Sequence, residues 1–171
     1  SLLIHQGKIK NYGLSNYNKS ELDSFYQCAV QNNFELPVSN QFEFNLLNYK
    51  KSKFFFQACS FKQLGTITWG PLSSGLLSDW YANHSKIKPD SRIAKSRDKK
   101  SLEKILHNDS TREKLLLLRQ LSKETGISTQ VLAISWLIKS EPSNCILIGP
   151  SNLEQLLELA SISINNKSIF D

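Results

Sequence analysis

The stretch Thr68-Trp69-Gly70-Pro71-Leu72-Ser73-Ser74-Gly75-Leu76-Leu77 holds the residues best suited to chemistry. An apolar, β-prone run from Thr66 to Trp69 stops abruptly at a Gly-Pro pair. A flat indole then stands at a strand end, and small residues follow it. This combination offers a ring-stacking platform beside a backbone that a ligand can approach closely. Taken alone, an indole here also serves as ordinary core packing.

Other reactive side chains form no comparable group. Cys28, Cys59 and Cys145 are odd in number, far apart and without metal-ligand spacing. They read as buried thiols of a reducing compartment, which points to the cytoplasm. His84 and His107 lie in polar surroundings, with no Ser, Cys or carboxylate arrangement of a nucleophilic site. Lys86, Lys88, Arg92, Lys95, Arg97, Lys99 and Lys100 face only Asp90 and Asp98, and supply much of the net charge of +6. A solvated, mobile loop and a site for phosphate groups both remain open for that run. It lacks interleaved aromatics, so nucleic acid is not expected as a partner.

At 171 residues the chain can bury the core of one domain, read here as 1–171. No apolar run approaches 18 residues, so no membrane span is expected. No signal-peptide pattern opens the chain. The chain contains no methionine and begins at Ser1, which suits either a segment of a longer protein or a processed N-terminus.

Short strands alternate with helices along the sequence. Ile9 to Ser15 reads as a strand. Asn18 to Glu21 resembles a capping box that opens a helix through Leu22, Phe25, Tyr26 and Ala29. Val38 to Phe44 is the next strand, then a helix from about Tyr49 to Gln63, then a strand from Thr66 to Trp69. A long basic loop is expected over 78–101. A helix from about Leu102 to Thr125 ends at Gly126, and a second runs from Ser128 or Thr129 to before Pro142. Cys145 to Ile148 is a fully apolar fourth strand. Ser151 and Glu154 form a capping box for the last helix, which carries Leu153, Leu156, Leu157 and Ala160.

Four such β/α units, with an extra helix, imply an α/β fold with parallel strands. They suit an open doubly wound domain or half of a closed (β/α)8 TIM barrel. The strand ends favour the barrel, because each carries small or polar residues: Ser15-Asn16, Gln41 and Glu43, Trp69-Gly70, and Gly149 with Ser151. Gly149 to Asn152, before the last helix, suits a phosphate site at a helix start.

In its motifs the chain resembles the C-terminal half of the aldo-keto reductases. Gly7-Lys8-Ile9-Lys10-Asn11-Tyr12-Gly13-Leu14-Ser15-Asn16 resembles that family's strand five, and Asn40-Gln41-Phe42-Glu43-Phe44-Asn45 its strand six. Trp69 to Leu77 resembles strand seven and its loop. Gln130 to Leu137 resembles the penultimate helix, and Ile148 to Leu156 the final cofactor turn. The tryptophan is similar to that of the branch holding potassium-channel β subunits and bacterial oxidoreductases.

The resemblance implies a NADP(H)-dependent oxidoreductase that moves hydride between NADPH and an aldehyde or ketone. Ser15, Asn16 and Gln41 would hold the nicotinamide carboxamide, and Trp69 would stack on the ring. Gly70, Pro71, Leu72, Ser73 and Gly75 would line the pyrophosphate and ribose. Arg92 would meet the adenosine 2′-phosphate, with Arg97 as its substitute. Gly149, Ser151, Gln155 and Glu158 would meet the adenosine end. These types suit the roles: amides pair donors with acceptors, small residues expose N–H groups, and a guanidinium forks onto phosphate. Each also has a plain structural use: a helix-start turn for Ser15-Asn16, a buried backbone partner for Gln41, a solvated charge for Arg92.

Two departures bear on cofactor choice. Trp80 stands where relatives often have a lysine near the phosphates, and Leu159 where an asparagine contacts adenine. NAD(H) therefore stays open beside NADP(H). The family's catalytic Asp, Tyr, Lys and His lie in the other half of its barrel, so no catalytic residue is expected here. The resemblance thus leaves two functions: the cofactor-binding half of a reductase, or a non-catalytic nucleotide-binding or regulatory module. A half barrel exposes two sheet edges, so self-association or pairing with an N-terminal half is expected.

Overall fold

Parallel pairing of four short strands organises the first of two compact units in this computed structural model, which describes residues 2–164. The elements in chain order are α1 (Leu2–His5), β1 (Gly13–Ser15), α2 (Lys19–Gln31), β2 (Ser39–Glu43), α3 (Tyr49–Phe61) and β3 (Gly65–Trp69). A 3₁₀ turn (Ser73–Gly75) precedes α4 (Asp79–Asn83), α5 (Lys99–Leu106), α6 (Asp109–Thr125), α7 (Thr129–Ser140), β4 (Cys145–Ile146) and α8 (Leu153–Ile164).

The first unit holds residues 2–44, 48–69 and 141–147. Its sheet runs β1-β2-β3-β4, every pair parallel, as alternation with helices requires. Strand period two then sorts the side chains. Asn40, Phe42, Thr66 and Thr68 are buried on the face that α3 covers. Phe42 stacks on Phe55 at 5.1 Å and meets Phe56 edge-on at 4.9 Å, while Phe44 meets Phe56 at 4.8 Å. Asn18 caps α2 in the expected box with Glu21. Asp23 on α2 binds both Lys19 and Lys62 at 2.7 Å, and these ammonium groups hold its carboxyl below the usual range.

Asn40 is the polar group on which this core depends. It is fully buried, donates to the Tyr17 carbonyl at 2.8 Å and accepts the Tyr17 N–H at 3.3 Å. Its amide also donates towards the Cys59 sulfur at 3.7 Å. Burial pushes the Cys59 thiol up, against the opposing pull of that hydrogen bond.

The second unit holds residues 45–47, 70–140 and 148–164. Its core joins Leu76, Leu77, Tyr81, Ile93, Leu106, Leu115, Leu118, Leu132 and Ala133. A second cluster joins Val131 and Ile134 of α7 to Leu159 and Ile162 of α8. Asp79 Oδ1 accepts the Thr129 N–H at 2.9 Å, and Thr129 Oγ1 donates to the Leu77 carbonyl at 3.1 Å, which fixes the start of α7.

The structure departs from the sequence reading at several boundaries. The helix expected from Leu102 to Thr125 is two helices, because Asn108 caps α6 by accepting the Thr111 N–H. Segment 78–101 contains α4 and the first residues of α5. The ladder of β1 covers only Gly13–Ser15, and that of β4 only Cys145–Ile146. At α8 the cap is Asn152, which accepts the Gln155 N–H at 2.9 Å, and not Ser151 with Glu154.

Replacing Asn40 by Ala strands both Tyr17 backbone groups. The Asn40→Ala variant should lose about 1–3 kcal/mol of stability in urea unfolding. A loss near zero would show that Asn40 is not the anchor of this core.

Candidate functional site

The uncovered face of the first unit's sheet carries the first group of predicted site residues. Ser15 pairs with Gln41 and Glu43 with Trp69, so Ser15, Gln41 and Trp69 project on one face, the opposite of Asn40 and Phe42. Trp69 lies one two-residue step further along, about 7 Å at strand rise. The residue is 37% exposed, although tryptophan is usually well covered. Asn16 leaves the strand in the left-handed region, at φ 61°. Its N–H donates to the Gln41 carbonyl at 2.7 Å, and its amide donates to Ser15 Oγ at 3.2 Å. Ser15, Asn16 and Gln41 therefore form one knot of donors and acceptors, and Trp69 adds a ring platform on the same face. Glu43 shares this face directly opposite Trp69.

Predicted residues Gly70 to Gly75 lie in the second unit and form successive tight turns. Ser73 N–H donates to the Gly70 carbonyl, and Gly75 N–H to the Leu72 carbonyl, each at 2.9 Å. Ser73, Ser74 and Gly75 have φ of 48°, 58° and 95°, an unusual run of left-handed residues. Such strain persists only where neighbours impose it, and it clusters at ligand clamps. Here Pro71 and Ser73 are buried before the turn, and Leu76 and Leu77 after it. Asn45 steadies the start of the loop, donating to the Gly70 carbonyl and accepting the Leu47 N–H, each at 3.0 Å.

The remaining predicted residues fall into two groups of the same unit. Arg92 is exposed, and its guanidinium reaches Gly149: a Cβ added there would lie 3.7 Å from Arg92 Nη1. Ser151 and Gln155 meet at the start of α8, where Gln155 Oε1 accepts the Ser151 N–H at 2.8 Å. Glu158 is half-buried and accepts from the Ser128 hydroxyl and the Gln130 amide, which ties α8 to the start of α7.

Sequence reasoning missed Asn45 as the partner of the Gly70 turn and Tyr81 as the partner of Ser91, the residue before Arg92. An Asn just after a strand was the available signal for the first. Tyr12, just before β1, donates its hydroxyl to the Glu35 carbonyl. Burial is the first cause of its raised pKa, and the Glu35 charge the second. Among the described residues no group of three or more His, Cys, Asp or Glu side chains is placed to hold a metal. No helix of the described residues is long and apolar enough to cross a membrane.

Four parallel strands alternating with helices, with polar groups at their C-terminal ends, form an α/β arrangement consistent with part of a (β/α)8 barrel. Residues 2–168 match the model of the Aldo/keto reductase family, and the chain belongs to that family. Its members are oxidoreductases that generally use nicotinamide cofactors.

Gly75 has open space around its missing Cβ, so any effect of substitution there reports backbone strain. Gly75→Ala should destabilise the chain by about 1–2 kcal/mol in urea unfolding. No change would mean that the loop relaxes out of its left-handed form at no cost.

Proposed function

We propose that this chain supplies the cofactor-holding part of a NADP(H)-dependent aldo-keto reductase, corresponding to strands five to eight of its barrel. The observation that carries this reading is the shared face of Ser15, Gln41 and Trp69, with Asn16 locked to the Gln41 carbonyl. The residues fit a nicotinamide dinucleotide. An amide finds paired donors and acceptors beside an exposed indole, a glycine-containing turn admits a phosphate backbone, and a guanidinium stands beside a residue without a side chain.

When bound, the cofactor supplies a hydride to the carbonyl carbon of an aldehyde or ketone. Ser15, Asn16 and Gln41 orient the carboxamide and so choose the ring face that is presented. Trp69 covers the other face and keeps water from it. The 70–75 turn holds the pyrophosphate, and Arg92 beside Gly149 takes the ribose 2′-phosphate, which favours NADP(H) over NAD(H). Ser151 lies at the adenosine end. Gln155 and Glu158 act there through the frame they fix, because their side chains already bond Ser151, Ser128 and Gln130. We assign no proton-transferring residue to this chain.

Titration with NADPH should quench tryptophan emission, with a smaller affinity for NADH. The quenching should fall sharply in Trp69→Phe, although Trp80 and Trp136 remain. No response at millimolar NADPH would overturn the reading. We also propose that β1 and β4, the outer strands of the described sheet, pair with another chain. Multi-angle light scattering of the chain alone should then show a dimer or larger species, and a monodisperse monomer would contradict this.

A further inference from the structure

Arg92 is exposed, yet its position is set by buried groups on both sides. Ile93, the next residue, is fully buried in the core around Leu76, Leu115 and Leu132. Ser91, the preceding residue, bonds the Tyr81 hydroxyl at 3.3 Å, and either hydroxyl can be the donor. Ser91 Oγ also accepts the Ala94 N–H at 3.1 Å. The same Tyr81 hydroxyl accepts the Lys88 N–H at 3.3 Å. Between these two holds the chain makes a turn. Ser91 N–H donates to the Lys88 carbonyl at 3.3 Å, with Pro89 and Asp90 at the centre and Asp90 at φ 57°. Proline followed by a left-handed residue is the type II pattern.

Tyr81 is 2% exposed, so its ring is locked in the core while its hydroxyl grips both ends of the 88–91 turn. With Ile93 in the core beyond it, this hold fixes the basic stretch where it passes Gly149. The side of the turn facing Trp80 is ordered as well: the Lys88 ammonium lies 5.3 Å from the Trp80 ring centre, and Trp80 stacks on His84 at 4.0 Å.

We propose that Tyr81 is a positioning residue whose hydroxyl presents Arg92 at Gly149 and so sets the preference for adenosine ligands that carry a ribose phosphate. This rests on the assignment of Arg92 to that phosphate. A guanidinium on an unpinned loop must be ordered at the moment of binding, whereas one already placed avoids that entropy loss. Removing the hydroxyl should therefore weaken recognition of the phosphate while the rest of the nucleotide binds as before.

Calorimetric titration of the full chain with adenosine 2′,5′-bisphosphate and adenosine 5′-monophosphate tests this. The wild type should prefer the bisphosphate, and Arg92→Ala should abolish the preference. Tyr81→Phe keeps the ring and should weaken the bisphosphate roughly threefold to tenfold, the size of one net hydrogen bond, with the monophosphate unchanged. Ser91→Ala should act in the same direction. Hydrogen exchange in Tyr81→Phe should quicken across residues 88–94 and not in α6 or α7. If Tyr81→Phe leaves the preference intact while Arg92→Ala removes it, the role of Tyr81 is wrong and that of Arg92 stands. Equal weakening of both ligands by Tyr81→Phe would also sink the positioning role. A wild type with no preference, or one that survives Arg92→Ala, overturns both assignments.

Discussion

The parallel ladder between β2 and β3 is the constraint on which the first unit rests. Ser39 to Glu43 pair with Gly65 to Trp69 without a shift or bulge, so side-chain direction is fixed on both strands at once. A one-residue slip would move Phe42 out of the aromatic cluster and turn Gln41 inward. The same register aligns Gly13, Ser39 and Gly65 across the sheet. There the strands approach so closely that a Cβ on Gly13 would lie 2.4 Å from Ser39 Oγ. The buried face holds the strands to α3, and the opposite face is thereby committed to Ser15, Gln41, Glu43 and Trp69. Burial and the candidate site are two readings of one period-two pattern.

The second unit solves a different problem. Apart from Gln155 and Glu158 on α8, its candidate residues lie off the regular elements, with no ladder to hold them. Buried side chains do that work instead. Leu76 and Leu77 anchor the strained 73–75 turn, Ile93 anchors Arg92, and Asn45 satisfies the Gly70 carbonyl. Left-handed residues cost roughly 1–3 kcal/mol each, an amount that a few well-buried leucines offset. The turn is therefore kept by its surroundings and not by its own preference, as expected where a backbone must meet a ligand.

The sequence made the alternation of strands and helices legible because the strands are short and bounded by turn residues and the helices carry clear periodicity. The Asn18-Glu21 box and the left-handed stop at Gly126 were readable from residue type. The break between α5 and α6 has neither glycine nor proline, and its one signal, the polar run His107 to Lys114 with Asn108 as cap, also suits the solvated face of a single helix. The cap of α8 was misplaced by one residue, because Ser151 and Asn152 are both good caps and only the path of the chain decides between them. The knot of Ser15, Asn16 and Gln41 followed from family motifs. Its backbone bond from Asn16 to the Gln41 carbonyl joins residues of β1 and β2, which local patterns do not reveal. Tyr81 gave no signal at all, since the sequence reading left it in the 78–101 loop and only the structure places it on α4.

The proposed function assigns nicotinamide contacts to Ser15, Asn16, Gln41 and Trp69 in the first unit, and phosphate contacts to the 70–75 turn and Arg92 in the second. Nitrogen-15 chemical-shift mapping during NADPH titration tests this most directly. Shifts are expected at the Trp69 indole, at residues 15, 16 and 41, across 70–75, and at residues 92 and 149–151. NADH should reproduce the first set and spare Arg92. Shifts confined to other surfaces, or none at saturating NADPH, would contradict the account.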